Sequence, residues 1–164
     1  MLADEFAEWL PRARDEYVGY MVGYEWVEQS AARAKADRDT EALFPGGVPS
    51  AEQLVFVVEA DGERVGELWV GERHGELRRS LFVWNIHIDE AHRGRGLGRE
   101  TMLLAENEAR RRGLSYIALE VSGANTTARR LYGSLGYRET IVFLEKQISQ
   151  ARSDQNRARS DESL

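Results

Sequence analysis

The stretch that decides the reading of this chain is Leu81-Phe82-Val83-Trp84-Asn85-Ile86-His87-Ile88-Asp89, followed closely by Arg93-Gly94-Arg95-Gly96-Leu97-Gly98. Its first part is rich in β-branched and aromatic side chains and predicts a strand. After the glycine-rich hexapeptide, Met102, Ala105 and Ala109 fall at i, i+3 and i+7 of a predicted helix. Arg110, Arg111 and Arg112 stand at the negative end of that helix, and Gly113 is its stop signal. A glycine-rich loop between strand and helix is a place to hold phosphates. Glycine lets the backbone approach closely, and the first N–H groups of the helix point at the anion.

Three phosphate-binding patterns compete for that position. A P-loop requires Lys and Ser/Thr after its second glycine, and Gly98-Arg99-Glu100 supplies neither. The dinucleotide pattern G-x-G-x-x-G requires a small residue where Arg99 or Thr101 stands. What remains is R-x-x-G-x-G, carried by Arg93, Gly96 and Gly98.

Working outward, Leu114 to Val121 predicts a strand, so residues 81–121 form one strand, loop, helix, strand unit. Upstream, Gln53–Glu59 and Arg64–Gly71 predict a hairpin about Asp61-Gly62. The first 43 residues predict helix, with Leu2, Phe6, Trp9, Ala13 and Tyr17 at spacings of three and four. Pro11 is expected to kink or restart that helix, and the polar run Arg33–Asp39 to break it before a short helix reaching Leu43. Downstream, Ala128, Leu131, Tyr132 and Leu135 predict a short helix ending at Gly136. Tyr137–Lys146 is expected to close the sheet as a last strand. The domain thus spans 1–147, and the polar residues 148–164 read as a disordered tail.

Composition bounds the function. The chain has 164 residues, enough for one domain, and 22 basic against 28 acidic side chains give a net charge of −6. This disfavours nucleic acid as partner. Residues 1–80 carry 9 Lys/Arg against 17 Asp/Glu and the rest 13 against 11, so the second half suits an anionic ligand better. The absence of cysteine excludes a thiol nucleophile and a cysteinyl acyl-enzyme. No apolar run is long enough to span a membrane, and the N-terminus is acidic rather than signal-like, so a cytoplasmic location is expected. His74, His87 and His92 have no metal-ligand spacing, and no metal is expected.

Beyond Gly98 comes a second signature, Asn125-x-x-Ala128-x-x-Leu131-Tyr132-x-x-Leu135-Gly136-Tyr137. Together with Arg93-x-x-Gly96-x-Gly98, in this order, it resembles the GNAT N-acetyltransferase superfamily, and most closely an uncharacterised bacterial branch. The resemblance implies an α/β fold with a mixed, mainly antiparallel central sheet flanked by helices, in which a splayed strand pair holds acyl-CoA. It implies acetyl-CoA as co-substrate, with contacts from the backbone of Ile86, His87 and Ile88, from the loop Arg93, Gly94, Arg95, Gly96, Leu97 and Gly98, and from Asn125, Ala128 and Tyr132. For Asn125 an ordinary helix N-cap is an equal alternative. Tyr132 matches the family's candidate general acid for the departing thiolate. Many relatives carry a carboxylate where this chain has Asn85, which cannot take a proton. Glu67, His87 and Glu120 are the substitutes as general base. The expected activity is acetyl transfer to a primary amine, of a small molecule first, with a protein lysine or N-terminus, or a non-catalytic acyl-CoA sensor, as alternatives. The chain is expected to act as a monomer or homodimer.

Overall fold

The computed structural model describes residues 1–24, 27–48, 50–75 and 78–146. Among them, β1 (Gln53–Ala60), β2 (Glu63–His74), β3 (Arg79–Ile88) and β4 (Ile117–Leu119) form one sheet in sequence order. Asp61 and Gly62 turn β1 into β2 with φ of 55° and 81°, the pair of positive values that matches the twist of a tight hairpin. β1, β2 and β3 pair antiparallel, whereas β4 joins β3 in parallel after a helical crossover, giving the mixed, mainly antiparallel sheet expected.

Helices cover both faces. The crossover helix α3 (Leu97–Arg111) buries Met102, Ala105 and Ala109 against Leu68, Val70, Leu81 and Val83. Each fully buried large side chain contributes roughly 1.5–3 kcal/mol. On the other face, α1 (Ala3–Tyr24) buries Phe6 and Trp9 against Phe44, Val55 and Trp69. α2 (Gln29–Leu43) packs Ala32 and Ala36 against Val18 and Met21 of α1. The last helix, α4 (Thr126–Ser134), lies between β4 and the chain's final described segment.

Four expectations need correction. The helix does not restart at Pro11, which lies inside one continuous α1, where buried Phe6 and Trp9 before it and Val18 and Met21 after it offset the backbone bond it cannot make. The polar run Arg33–Asp39 does not break a helix but sits within α2. Ala32 and Ala36 face α1 while the charges lie on the flanks, Arg33 bonding Asp15 at 3.2 Å and Asp37 pairing with Arg14 at 3.2 Å. The strand expected over Leu114–Val121 is only Ile117–Leu119, because β3 offers partners only at Leu81, Phe82 and Val83. Tyr137–Lys146 forms no strand: Ile141, Val142, Phe143 and Leu144 are 68–87% exposed. Strand propensity needs a ladder partner to be realised, and that segment has none among the described residues. The polar tail lies outside the described residues.

Candidate active site

A bulge in β3 creates the site. Trp69 pairs with Asn85 and Val70 with Val83, so Trp84 is an extra residue with no opposite number on β2. A bulge shifts side-chain parity and bends the strand. Val83 accordingly points into the core beneath α3 and so does Ile86, three residues later. Pairing of β3 with β4 stops at the rung Val83–Leu119, immediately before the bulge. Beyond it the two strands part around a cleft of ≈ 240 Å³. Trp84, Asn85 and Ile86 line one side, Leu119, Glu120, Val121 and Ser122 the other, with Tyr20, Asn125 and Tyr132 completing it.

The glycine-rich loop follows the open end of β3. Arg93 folds back so that its Nε donates to the Ile88 carbonyl at 2.8 Å. Gly94 and Gly96 have φ of 75° and 85°, a conformation that other residues adopt only at a cost. Gly96 is the N-cap of α3 and brings no side chain to its N-terminal amides; its carbonyl accepts from Arg99 N at 2.9 Å and Glu100 N at 3.2 Å. Leu97 and Gly98 form the first turn, whose N–H groups have no partner within the helix. Arg95 stands 3.2 Å from His92 Nδ1 and 3.7 Å from Asp61, at the loop's rim. Arg99 reaches Ser134 Oγ at 2.9 Å and ties the loop helix to α4.

α4 brings the second signature to the same cleft. Asn125 Oδ1 accepts from Ala128 N at 3.1 Å, so the asparagine is an N-cap and a cleft residue at once. Tyr132, one helical turn beyond Ala128, is half-buried, and burial pushes its phenol above the ordinary tyrosine value. Its ring packs 5.8 Å from that of Tyr137. A phenol held protonated in an apolar setting can give a proton and does not readily surrender one to solvent.

Of the three candidate bases, Glu67 and His87 are register partners on β2 and β3, and Glu120 stands apart from them. Glu120 lines the cleft; its side chain is 81% exposed and lies 3.4 Å from Arg73. Glu67 does not line it. Its carboxylate is 5% exposed and accepts from Arg12 at 2.7 Å and Arg64 at 3.1 Å. Burial pushes that carboxyl up, but the two arginines more than offset it and hold it below its ordinary value. His87, opposite Glu67 in register, stands 3.4 Å from Asp89 and is likewise absent from the cleft lining. The sequence reading missed Trp84 and Ser122 as cleft residues. Trp84 alone left a trace: a large aromatic beside Asn85, in a strand whose core-facing alternation changes phase there. Among the described residues no group of three or more His, Asp or Glu is placed to hold a metal ion, and no helix is long and apolar enough to cross a membrane.

Residues 23–137 match the model of the Acetyltransferase (GNAT) family. The chain is 31% identical over 124 residues to YdgE, an uncharacterised N-acetyltransferase of Bacillus subtilis, covering 75% of this chain and 78% of that one. It is 25% identical over 150 residues to YycN, a second uncharacterised N-acetyltransferase of Bacillus subtilis, covering 90% and 96%. The crystal structure of YycN superposes with a TM-score of 0.81 at 23% identity, over 92% of this chain and 96% of that one.

Proposed function

The chain belongs to the acetyltransferase (GNAT) family, and on that premise we propose that this acyltransferase moves an acetyl group from acetyl-CoA to the primary amine of a small molecule, in the cytoplasm and within one ternary complex. The carrying observation is the coincidence of two features at one cleft. The strands part after Val83–Leu119, and the uncapped, glycine-led N-terminus of α3 follows the same strand. This is the shape an extended arm with a pyrophosphate fits.

Acetyl-CoA supplies an activated acetyl group and a thiolate leaving group. The amides of Gly94, Gly96, Leu97 and Gly98 hold its pyrophosphate, with Arg93 and Arg95 at the rim. The backbone of Ile86, His87 and Ile88 faces the opened side of β3. One N–H there steadies the carbonyl oxygen as negative charge develops. Asn125 and Ala128 fix the start of α4 beside the arm, and Tyr132 gives its proton to the sulfur. The amine attacks as a free base: its N–C bond forms, the C–S bond breaks, one proton leaves the nitrogen and one reaches the thiolate. Asn85 accepts no proton, and Glu67 and His87 do not line the cleft. The nitrogen's proton passes to water at the cleft mouth, beside Glu120. Proximity in one cleft supplies much of the rate.

Relatives named for small molecules support that acceptor class: a streptothricin acetyltransferase is 33% identical over 88 residues, and an L-2,4-diaminobutyric acid acetyltransferase 34% over 77. The test is thiol release from acetyl-CoA across a panel of small amines and lysine peptides, with the N-acetyl product identified by mass. Transfer to small amines supports the proposal. Transfer to peptides alone makes the acceptor a protein, and tight acetyl-CoA binding with no transfer makes the chain a sensor.

A further inference from the structure

Behind one wall of the cleft aromatic rings form a row that reaches it at Trp84. Phe82 meets Trp84 edge-on at 4.6 Å between centroids, and Trp84 stacks on Trp69 at 5.6 Å with planes 27° apart. Trp69 is anchored in turn on Trp9 and Phe44, and its Nε1 donates to Gln53 at 2.8 Å. The row is therefore rigid, and Trp84, 36% exposed, is its member at the cleft.

One ring of this row already binds a cation. The guanidinium of Arg73 lies 4.7 Å from the Phe82 centroid and pairs with Glu120 Oε1 at 3.4 Å. The chain itself thus displays a positive group held between the aromatic row and the Glu120 carboxylate. Trp is the strongest cation-binding ring, and Trp84 adjoins Phe82 while sharing the cleft with Glu120. A cation-binding wall is of no use to the reacting nitrogen, which attacks only when neutral. It serves a charge that stays on the acceptor throughout the reaction.

Resting on the acetyl-transfer reading, we propose that the acceptor is an aliphatic amine carrying a second cationic group, which sits against Trp84 and Glu120 in competition with Arg73. A diamine or an amino-guanidine meets this description; a monoamine, an amino-alcohol or an amino acid without a basic side chain does not. Arg73 is then a positioning residue that keeps Glu120 turned to the wall until the acceptor's own cation arrives.

The test compares 1,4-diaminobutane with 4-amino-1-butanol at equal free-amine concentration, following thiol release. The chain has no cysteine to react with the thiol reagent. The diamine should show a KM at least about tenfold lower, in line with a partly desolvated cation–ring contact. Trp84→Leu should abolish that difference and Trp84→Phe should keep most of it. Arg73→Gln, at a side chain 53% exposed and so safe for folding, should lower the diamine's KM and leave the alcohol's within about twofold. Equal KM values in the parent, or an Arg73→Gln change shared by both substrates, would overturn the proposal. Should no amine release thiol, the transfer reading falls, and calorimetry decides the cation site by itself. Diamine binding to the CoA-loaded parent that Trp84→Leu weakens supports the site, and equal or absent binding of diamine and alcohol overturns it.

Discussion

Val83 pairs with Leu119, and this is the last rung between β3 and β4. The next residue, Trp84, is the bulge. One inserted residue therefore coincides with the end of the parallel ladder, leaves the β3 backbone open toward the cleft and brings an indole to its lining. The opening of the cleft and the furnishing of its wall meet at one residue.

Tyr132→Phe should cut turnover at saturating acetyl-CoA by about 10²- to 10⁴-fold, the usual contribution of a positioned acid. Acetyl-CoA affinity should hold, because the ring keeps its packing on Tyr137. Steady-state kinetics with the best amine, paired with calorimetry, checks both. An unchanged turnover number would reduce Tyr132 to a packing residue.

Gly96→Val should weaken acetyl-CoA binding at least tenfold while the protein stays folded. Its φ of 85° is strained for valine, which costs about 1–2 kcal/mol or more and tilts the first amides of α3 away from the phosphates. Gly19→Ala is the control, since a Cβ there meets nothing within 4 Å. Gly71 does not serve as one: its Cβ would fall 2.3 Å from Gln53 Oε1. Equal calorimetric affinities for parent and Gly96→Val would move the phosphate site elsewhere.

Glu67→Gln should lower stability by about 1–2 kcal/mol at pH 7, below the usual range for charged hydrogen bonds because Arg12 and Arg64 are half-exposed. The native carboxyl lies below its ordinary value of 4.5. Its contribution is therefore full above that value and fades as pH falls through the lower native one. Urea melts at pH 7 and pH 3 should show the gap between parent and variant closing on the acid side. A gap that stays constant would mean that the ion pairs are not its source.

Trp69→Ala should destabilise by about 3 kcal/mol, the low end for deleting a large core aromatic, since this one is not fully buried. It removes ring contacts to Trp9, Phe44 and Trp84 and leaves buried Gln53 without its indole partner. The midpoint of a denaturant titration measures it. A change below about 1 kcal/mol would show that the aromatic row does not anchor α1 to the sheet.

Local chemistry was enough to fix much of this protein from its sequence. Strand periodicity, the Asp61-Gly62 turn, the helix stop at Gly113 and the two glycine-bearing signatures each depend on neighbours within a few residues, and they located the hairpin, α3, α4 and the family. Asn125 shows how far that goes: its reading as a helix cap is visible in the structure, which also places it on the cleft lining. Relations between distant residues were decided only by the tertiary structure. Packing against α1 keeps the polar run of α2 helical, and two arginines distant from it in sequence or on its own strand's start withdraw Glu67 from the cleft. A strand-forming segment at 137–146 has no ladder partner among the described residues, and propensity cannot supply one. The bulge at Trp84 is the clearest case. The change of phase within β3 hints at it, but only the mismatch of register with β2 makes Trp84 the extra residue.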